Sequence, residues 1–129
     1  MNNIVLVSHG DMAEGVKSSL EMIVGEQPNV FTVSLRTDVK QFETDLLSVL
    51  EKLEGKVLVI ADLLGGTPAN TVVKHFLTDE NVLIISGMSL PLVIEASLIT
   101  DDIDVLIEVG KNGVTNVKEQ MALLSDCDE

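Results

Sequence analysis

Two side chains of this sequence stand where α/β proteins do chemistry. His9 ends the apolar run Ile4-Val5-Leu6-Val7-Ser8, and Asp62 ends the run Val57-Leu58-Val59-Ile60-Ala61. Runs of this length and β-branching read as strands buried on both faces. Each side chain therefore lies at the carboxyl end of a strand, where it can leave the sheet. Asp62 is followed by Leu63-Leu64-Gly65-Gly66-Thr67-Pro68-Ala69-Asn70. The glycine pair permits a sharp turn and a close backbone approach, Thr67 reads as an N-cap, and Pro68 reads as the first helical residue. A helix start beyond a strand presents free N–H groups and the positive end of its dipole to an anion.

An imidazole beside a carboxylate has a defined chemistry. A carboxylate accepting from Nδ1–H fixes the tautomer and leaves Nε2 as nucleophile. It also balances the positive charge that the ring gains when Nε2 is alkylated, acylated or phosphorylated. A phosphoryl group on Nε2 would lie near the Gly65-Gly66-Thr67 amides, which could neutralise it without a metal. No Lys or Arg lies in this motif, so any cation comes from elsewhere in the chain or from a partner. Taken singly, each feature has an ordinary structural role: a loop histidine, a capping aspartate, a tight turn into a helix. The second histidine, His75, falls inside a helical stretch with no strand-end motif and reads as a surface residue. No cluster has metal-ligand spacing, so neither a metal nor another cofactor is expected.

The elements needed to position the pair are legible in the periodicity. Strands are expected over 4–8, 29–35, 57–62 and 81–86, the second with one more polar face, as suits an edge. A fifth strand is expected over 103–109, interrupted by Asp104 and Glu108, at a sheet edge. Between them, helical spacing places Val16, Leu20, Ile23 and Val24 on a first helix, capped by Asp11 with Glu14 three residues on. A second helix, starting at Thr37 or Asp38, buries Val39, Phe42, Leu46, Leu47, Leu50 and Leu53. Val72, Val73, Phe76 and Leu77 mark a third helix. A fourth, capped by Ser89, carries Leu92, Val93, Ala96, Leu98 and Ile99, and a weaker last helix covers 114–124. Strand and helix alternating in this way predict an open, mainly parallel, doubly wound α/β sheet of about five strands with helices on both faces. In the order 2-1-3-4, strands one and three are neighbours at the point where the order reverses, and ligands bind there. His9 and Asp62 should therefore meet.

Composition bounds the partners. The chain has 129 residues and a formal net charge of −13. That charge disfavours nucleic acid and anionic membrane surfaces. One cysteine, Cys127, cannot form an intrachain disulfide, which points to a reducing, cytoplasmic setting. No basic leader or membrane-length apolar run is visible. The reading is one domain over 1–124 with an acidic tail at 125–129.

At these residues the sequence resembles the enzyme IIA component of the mannose family (fructose/mannose/sorbose type) of the bacterial phosphoenolpyruvate-dependent sugar phosphotransferase system. The resemblance is carried by Ser8-His9-Gly10, by Asp62 through Asn70, and by Gly87-Met88-Ser89-Leu90-Pro91, in matching order and spacing. It implies that His9 takes a phosphoryl group from the carrier HPr and passes it to enzyme IIB, and that Asp62 orients His9. Gly10, Gly65, Gly66, Thr67 and Ser89 would hold the group. It also implies a homodimer in which the fifth strand crosses to the partner, antiparallel to its sheet. Family members commonly carry Asn where Ser89 stands, which weakens the assignment of that loop to phosphate. A Pro/Ala-rich linker and IIB domain are not seen, so a free-standing IIA is expected. The rivals are the phosphoryl-donor subunit of dihydroxyacetone kinase, a non-covalent anion-sensing α/β module, and a hydrolase using His9 and Asp62. Ser8 would be a poor nucleophile for a hydrolase, since strand neighbours point to opposite faces.

Overall fold

The computed structural model describes residues 3–98 and 102–127. Four strands, β1 (Asn3–His9), β2 (Val30–Leu35), β3 (Val57–Ala61) and β4 (Val82–Ser86), form one parallel sheet in the order β2-β1-β3-β4. The helices are α1 (Met12–Val24), α2 (Val39–Glu51), α3 (Thr67–Phe76), α4 (Leu90–Leu98), α5 (Ile103–Asn112) and α6 (Val117–Cys127). β1 and β3 are adjacent in the register Val5↔Val59 and Val7↔Ala61.

The alternation of side chains along the strands divides the core in two. Ile4, Leu6, Leu58 and Ile60 pack on one face with Leu20 of α1, Leu92 and Val93 of α4 and Leu106 of α5. Val5, Val7, Val59 and Ala61 pack on the other with Phe42 and Leu46 of α2 and Val72 of α3. Each fully buried Leu, Ile or Phe contributes roughly 1.5–3 kcal/mol. β2 is an edge strand, as its polar face predicts.

The expected fifth strand is a helix. Residues 103–112 form α5, whose Ile103, Leu106 and Gly110 follow helical spacing toward α4 and the core. Asp102 starts it, its carboxylate accepting from the amides of Asp104 at 3.0 Å and Val105 at 3.4 Å. Asp104 and Glu108 are not interruptions of a strand but members of the solvent-facing side of a helix. The exchange of a fifth strand over 103–109 between protomers therefore falls with that strand.

There are smaller departures. Ile23, Val39, Leu77 and Leu98 are exposed although their spacing predicts burial. Each sits at a helix end or one residue from it. Val73 lies on the flank of α3, 38% exposed. Ile99 lies outside the described residues. The last helix begins at Val117 and runs through Cys127, into the expected tail.

The helical assignment of 103–112 has a measurable signature. Leu106 is fully buried and Ile107 is 39% exposed. Leu106→Ala should cost about 2–5 kcal/mol in denaturant unfolding, and Ile107→Ala under about 1 kcal/mol. Equal costs at the two positions would contradict the packing.

Candidate functional site

The carboxyl ends of β1 and β3 bring His9 and Asp62 into contact. Asp62 is the first residue beyond β3, and its amide continues the ladder by donating to the carbonyl of Val7 at 3.1 Å. Its Oδ2 lies 2.8 Å from His9 Nδ1 and accepts the His9 backbone N–H at 2.9 Å. One carboxylate oxygen thus holds both the main chain and the ring of the histidine. Burial works to raise the Asp62 pKa, but the hydrogen bonds from the His9 amide and ring outweigh it and hold the carboxyl below its ordinary value. An ionised carboxylate at this distance accepts from Nδ1–H, and in the neutral ring that tautomer puts the lone pair on Nε2. The His9 side chain is 48% exposed and that of Asp62 only 10%, so the imidazole faces solvent and its anchor does not.

The glycine turn fits around the ring. Gly65 has φ +83°, which a side chain would strain. Gly66 has an ordinary extended backbone, φ −77° and ψ 164°, so conformation does not require glycine there. Contact does: a Cβ on Gly66 would lie 2.8 Å from His9 Cε1 and 3.5 Å from Nε2. The imidazole is thus packed edge-on against the N-cap of α3.

The cap itself differs from expectation. Gly66, not Thr67, is the N-cap, because its carbonyl accepts the first helical bond, from the Asn70 amide at 2.9 Å. Thr67 is the first helical residue and Pro68 the second, so the Thr67 hydroxyl has no capping role. The Asn70 side chain braces the turn by donating to the Gly65 carbonyl at 3.1 Å. The Gly66 amide is turned to the Leu63 carbonyl at 3.3 Å. First-turn amides have no intrahelical acceptor, and Pro68 has no N–H, so Thr67 and Ala69 supply the outward donors.

Gly10 and Ser89 stand at the same edge with other partners. The Gly10 amide donates to the Leu35 carbonyl at 2.8 Å, so it is not a free donor. The Ser89 hydroxyl accepts from the Leu92 amide at 3.4 Å and caps α4, as its position predicts. Asp11 is the N-cap residue of α1, as expected, but its side chain makes no capping hydrogen bond. Its backbone, at φ −89° and ψ 2°, does not aim the carboxylate at the helix. The buried Ser8 hydroxyl takes that role, accepting from the Ala13 amide at 2.8 Å. Asp11 instead pairs with Arg36, whose guanidinium also reaches both oxygens of Glu14 at 3.2 Å. The hydrogen bond that Arg36 donates to Asp11 is the main cause of the raised Arg36 pKa.

Sequence reasoning passed over Arg36. The signal was its place one residue beyond Leu35, which is the register partner of His9. His75 is also less free than expected: its Nε2 lies 2.8 Å from Glu43 Oε2, and its side chain is 27% exposed. No group of three or more metal-ligating side chains occurs among the described residues.

Residues 3–108 match the family described as PTS system fructose IIA component. The chain belongs to this family. It is therefore an EIIA component of the sugar phosphotransferase system, a transferase that serves sugar transport. It is similar to the sorbose-specific EIIA component of Lacticaseibacillus casei, 27% identical over 127 residues and 92% of each chain. It is 28% identical over 128 residues to the mannose-specific EIIAB component of Escherichia coli, covering 89% of this chain and 39% of that protein. Among solved structures, the mannose/sorbose-specific IIA subunit from Enterococcus faecalis superposes with a TM-score of 0.81, at 31% identity, over 89% of this chain and 93% of that one. No helix among the described residues is long and apolar enough to cross a membrane.

The clearance at Gly66 can be tested in the resting protein. Gly66→Ala should push the imidazole off its carboxylate, changing the His9 ring nitrogen shifts by NMR, at a stability cost on the order of 1 kcal/mol. Unchanged ring shifts in a folded variant would show that the close packing of ring and turn is incorrect.

Proposed function

We propose that His9 carries a phosphoryl group between two protein partners, accepting it from phosphorylated HPr and delivering it to enzyme IIB. The observation that carries this reading is the single Asp62 oxygen held by both the ring and the backbone of His9, at 2.8 and 2.9 Å. In the forward step the Nε2 lone pair attacks the phosphorus of the donor phosphohistidine. The donor P–N bond breaks as P–Nε2 forms, and the donor imidazole leaves. The Nδ1 proton stays in place, so the His9 ring becomes cationic and Asp62 balances it. Onward transfer to a histidine of the acceptor reverses these roles. The outward amides of Thr67 and Ala69 and the Thr67 hydroxyl surround the phosphoryl oxygens.

The site favours the relay over a hydrolase and over a non-covalent sensor. A hydrolase built on these residues would need a nucleophile or a positioned water, and the Ser8 hydroxyl is buried and occupied by the Ala13 amide. A non-covalent anion sensor would not need a tautomer fixed on an exposed histidine. A cytoplasmic location and the absence of a cofactor belong to the same reading.

Incubation with phosphoenolpyruvate, enzyme I and HPr should give one acid-labile phosphoryl adduct by intact mass. His9→Ala should give none. Asp62→Asn, which removes the charge and permits the wrong tautomer, should slow adduct formation by on the order of 10²–10⁴ with little change in folding. An adduct that maps to His75, or none at all with HPr itself phosphorylated, would rule out the relay through His9.

A homodimer is part of the same proposal. Val117, Met121 and Leu124 of α6, four and three residues apart, are all more than half exposed. That apolar stripe supports a contact between copies formed by α6. Sedimentation velocity at tens of micromolar should report a dimer, and Met121→Asp should shift it toward monomer; a monomer throughout would remove this part.

A further inference from the structure

The sequence motif around His9 and Asp62 lacks a cation. The starts of α2 and α3 lie side by side and leave an open groove of about 380 Å³ lined in part by Lys40, Glu43, Thr67, Asn70 and Lys74. In a chain of net charge −13, two lysines here face one carboxylate. That carboxylate is already engaged. Glu43 Oε2 accepts from Lys74 Nζ at 3.0 Å and lies 2.8 Å from His75 Nε2. These bonds, that of His75 foremost, hold Glu43 below its ordinary pKa, so it stays ionised and keeps Lys74 occupied.

Lys40 differs. Its backbone amide donates to the capping carboxylate of Asp38 at 2.9 Å, and its ammonium makes no ion pair or hydrogen bond among the described residues. Thr67 joins this groove to the site: it lines the groove and directly follows Gly66, against which the His9 ring is packed. Arg36 is the other cation at this edge of the sheet, and Asp11 and Glu14 already hold it. We propose that the groove is an anion subsite continuous with the His9 site, in which the Lys40 ammonium stabilises the phosphoryl group carried on His9 Nε2. The inference rests on the relay reading. A lysine suits a relay, because a mobile point charge offsets a dianion without the bidentate grip of a guanidinium that would retain it.

The test separates the inference from the reading beneath it. Wild type must first form the His9 adduct; failure there sinks the relay itself. The isolated adducts of wild type, Lys40→Gln, Lys40→Arg and Lys74→Gln are then titrated by ³¹P NMR with no partner present. Removing a nearby cation should raise the phosphoryl pKa, so Lys40→Gln should titrate higher than wild type by a few tenths of a pH unit. Its adduct should also form about three- to tenfold more slowly, and added salt should shrink the difference. Lys40→Arg should keep the wild-type titration, and Lys74→Gln should stay close to it, since Glu43 holds that amine. All four should melt alike. A Lys40→Gln adduct that titrates as wild type would overturn the proposal, and so would a shift as large in Lys74→Gln.

Discussion

The site depends on one oxygen atom. Asp62 Oδ2 receives both the ring and the backbone N–H of His9, and it can do so only if β1 and β3 are parallel neighbours in one register. A slip of one residue would turn every side chain of a strand to the opposite face. Val5 and Val7 would leave Phe42 and Leu46, and His9 would turn away from Gly66. The apolar core and the polar pair are thus fixed by the same alternation. The two-layer packing of helices on the sheet is what makes the histidine-carboxylate geometry stable enough to specify a tautomer.

The acidity of the chain is managed locally rather than globally. Ser8 caps α1 from inside the strand, which frees Asp11 to bind Arg36 together with Glu14. Glu43 is bound in turn by Lys74 and His75 across α2 and α3. Carboxylates nearest the rim of the site are therefore paired, and their repulsion of an incoming anion is reduced. Such exposed pairs contribute little to stability. Their consequence is electrostatic: the negative charge that Asp11, Glu14 and Glu43 present is partly offset.

The sheet, its order and the meeting of His9 with Asp62 were legible because they follow from period-two apolar runs and from one topological rule. Residues 103–109 were misread because Ile103, Val105, Ile107 and Val109 alternate as a strand would, while Ile103, Leu106 and Gly110 also satisfy a helix. Tertiary packing against α4 chose the helix, and a short amphipathic segment cannot announce that choice alone. Two caps, Asp11 and Thr67, differ from expectation for a related reason. Asp11 and Thr67 have the right residue types, but a cap is decided by backbone angles and by competing partners. Arg36 and Ser8 are such partners, and neither lies in the helix concerned.

The turn after β3 shows how much chemistry a local motif can encode once its surroundings are known. Gly65 is glycine for its backbone angle and Gly66 for the ring beside it, two different demands on adjacent identical residues. Because Gly66 is the N-cap, Thr67 enters the helix with an uncommitted hydroxyl, and Pro68 contributes no amide of its own. The first-turn donors that remain are the amides of Thr67 and Ala69. Asn70 then ties the turn back to Gly65. A substitution that looks conservative in a turn, such as alanine for glycine, would be costly here for a reason unrelated to turn formation. The constraint comes from the imidazole on the neighbouring strand.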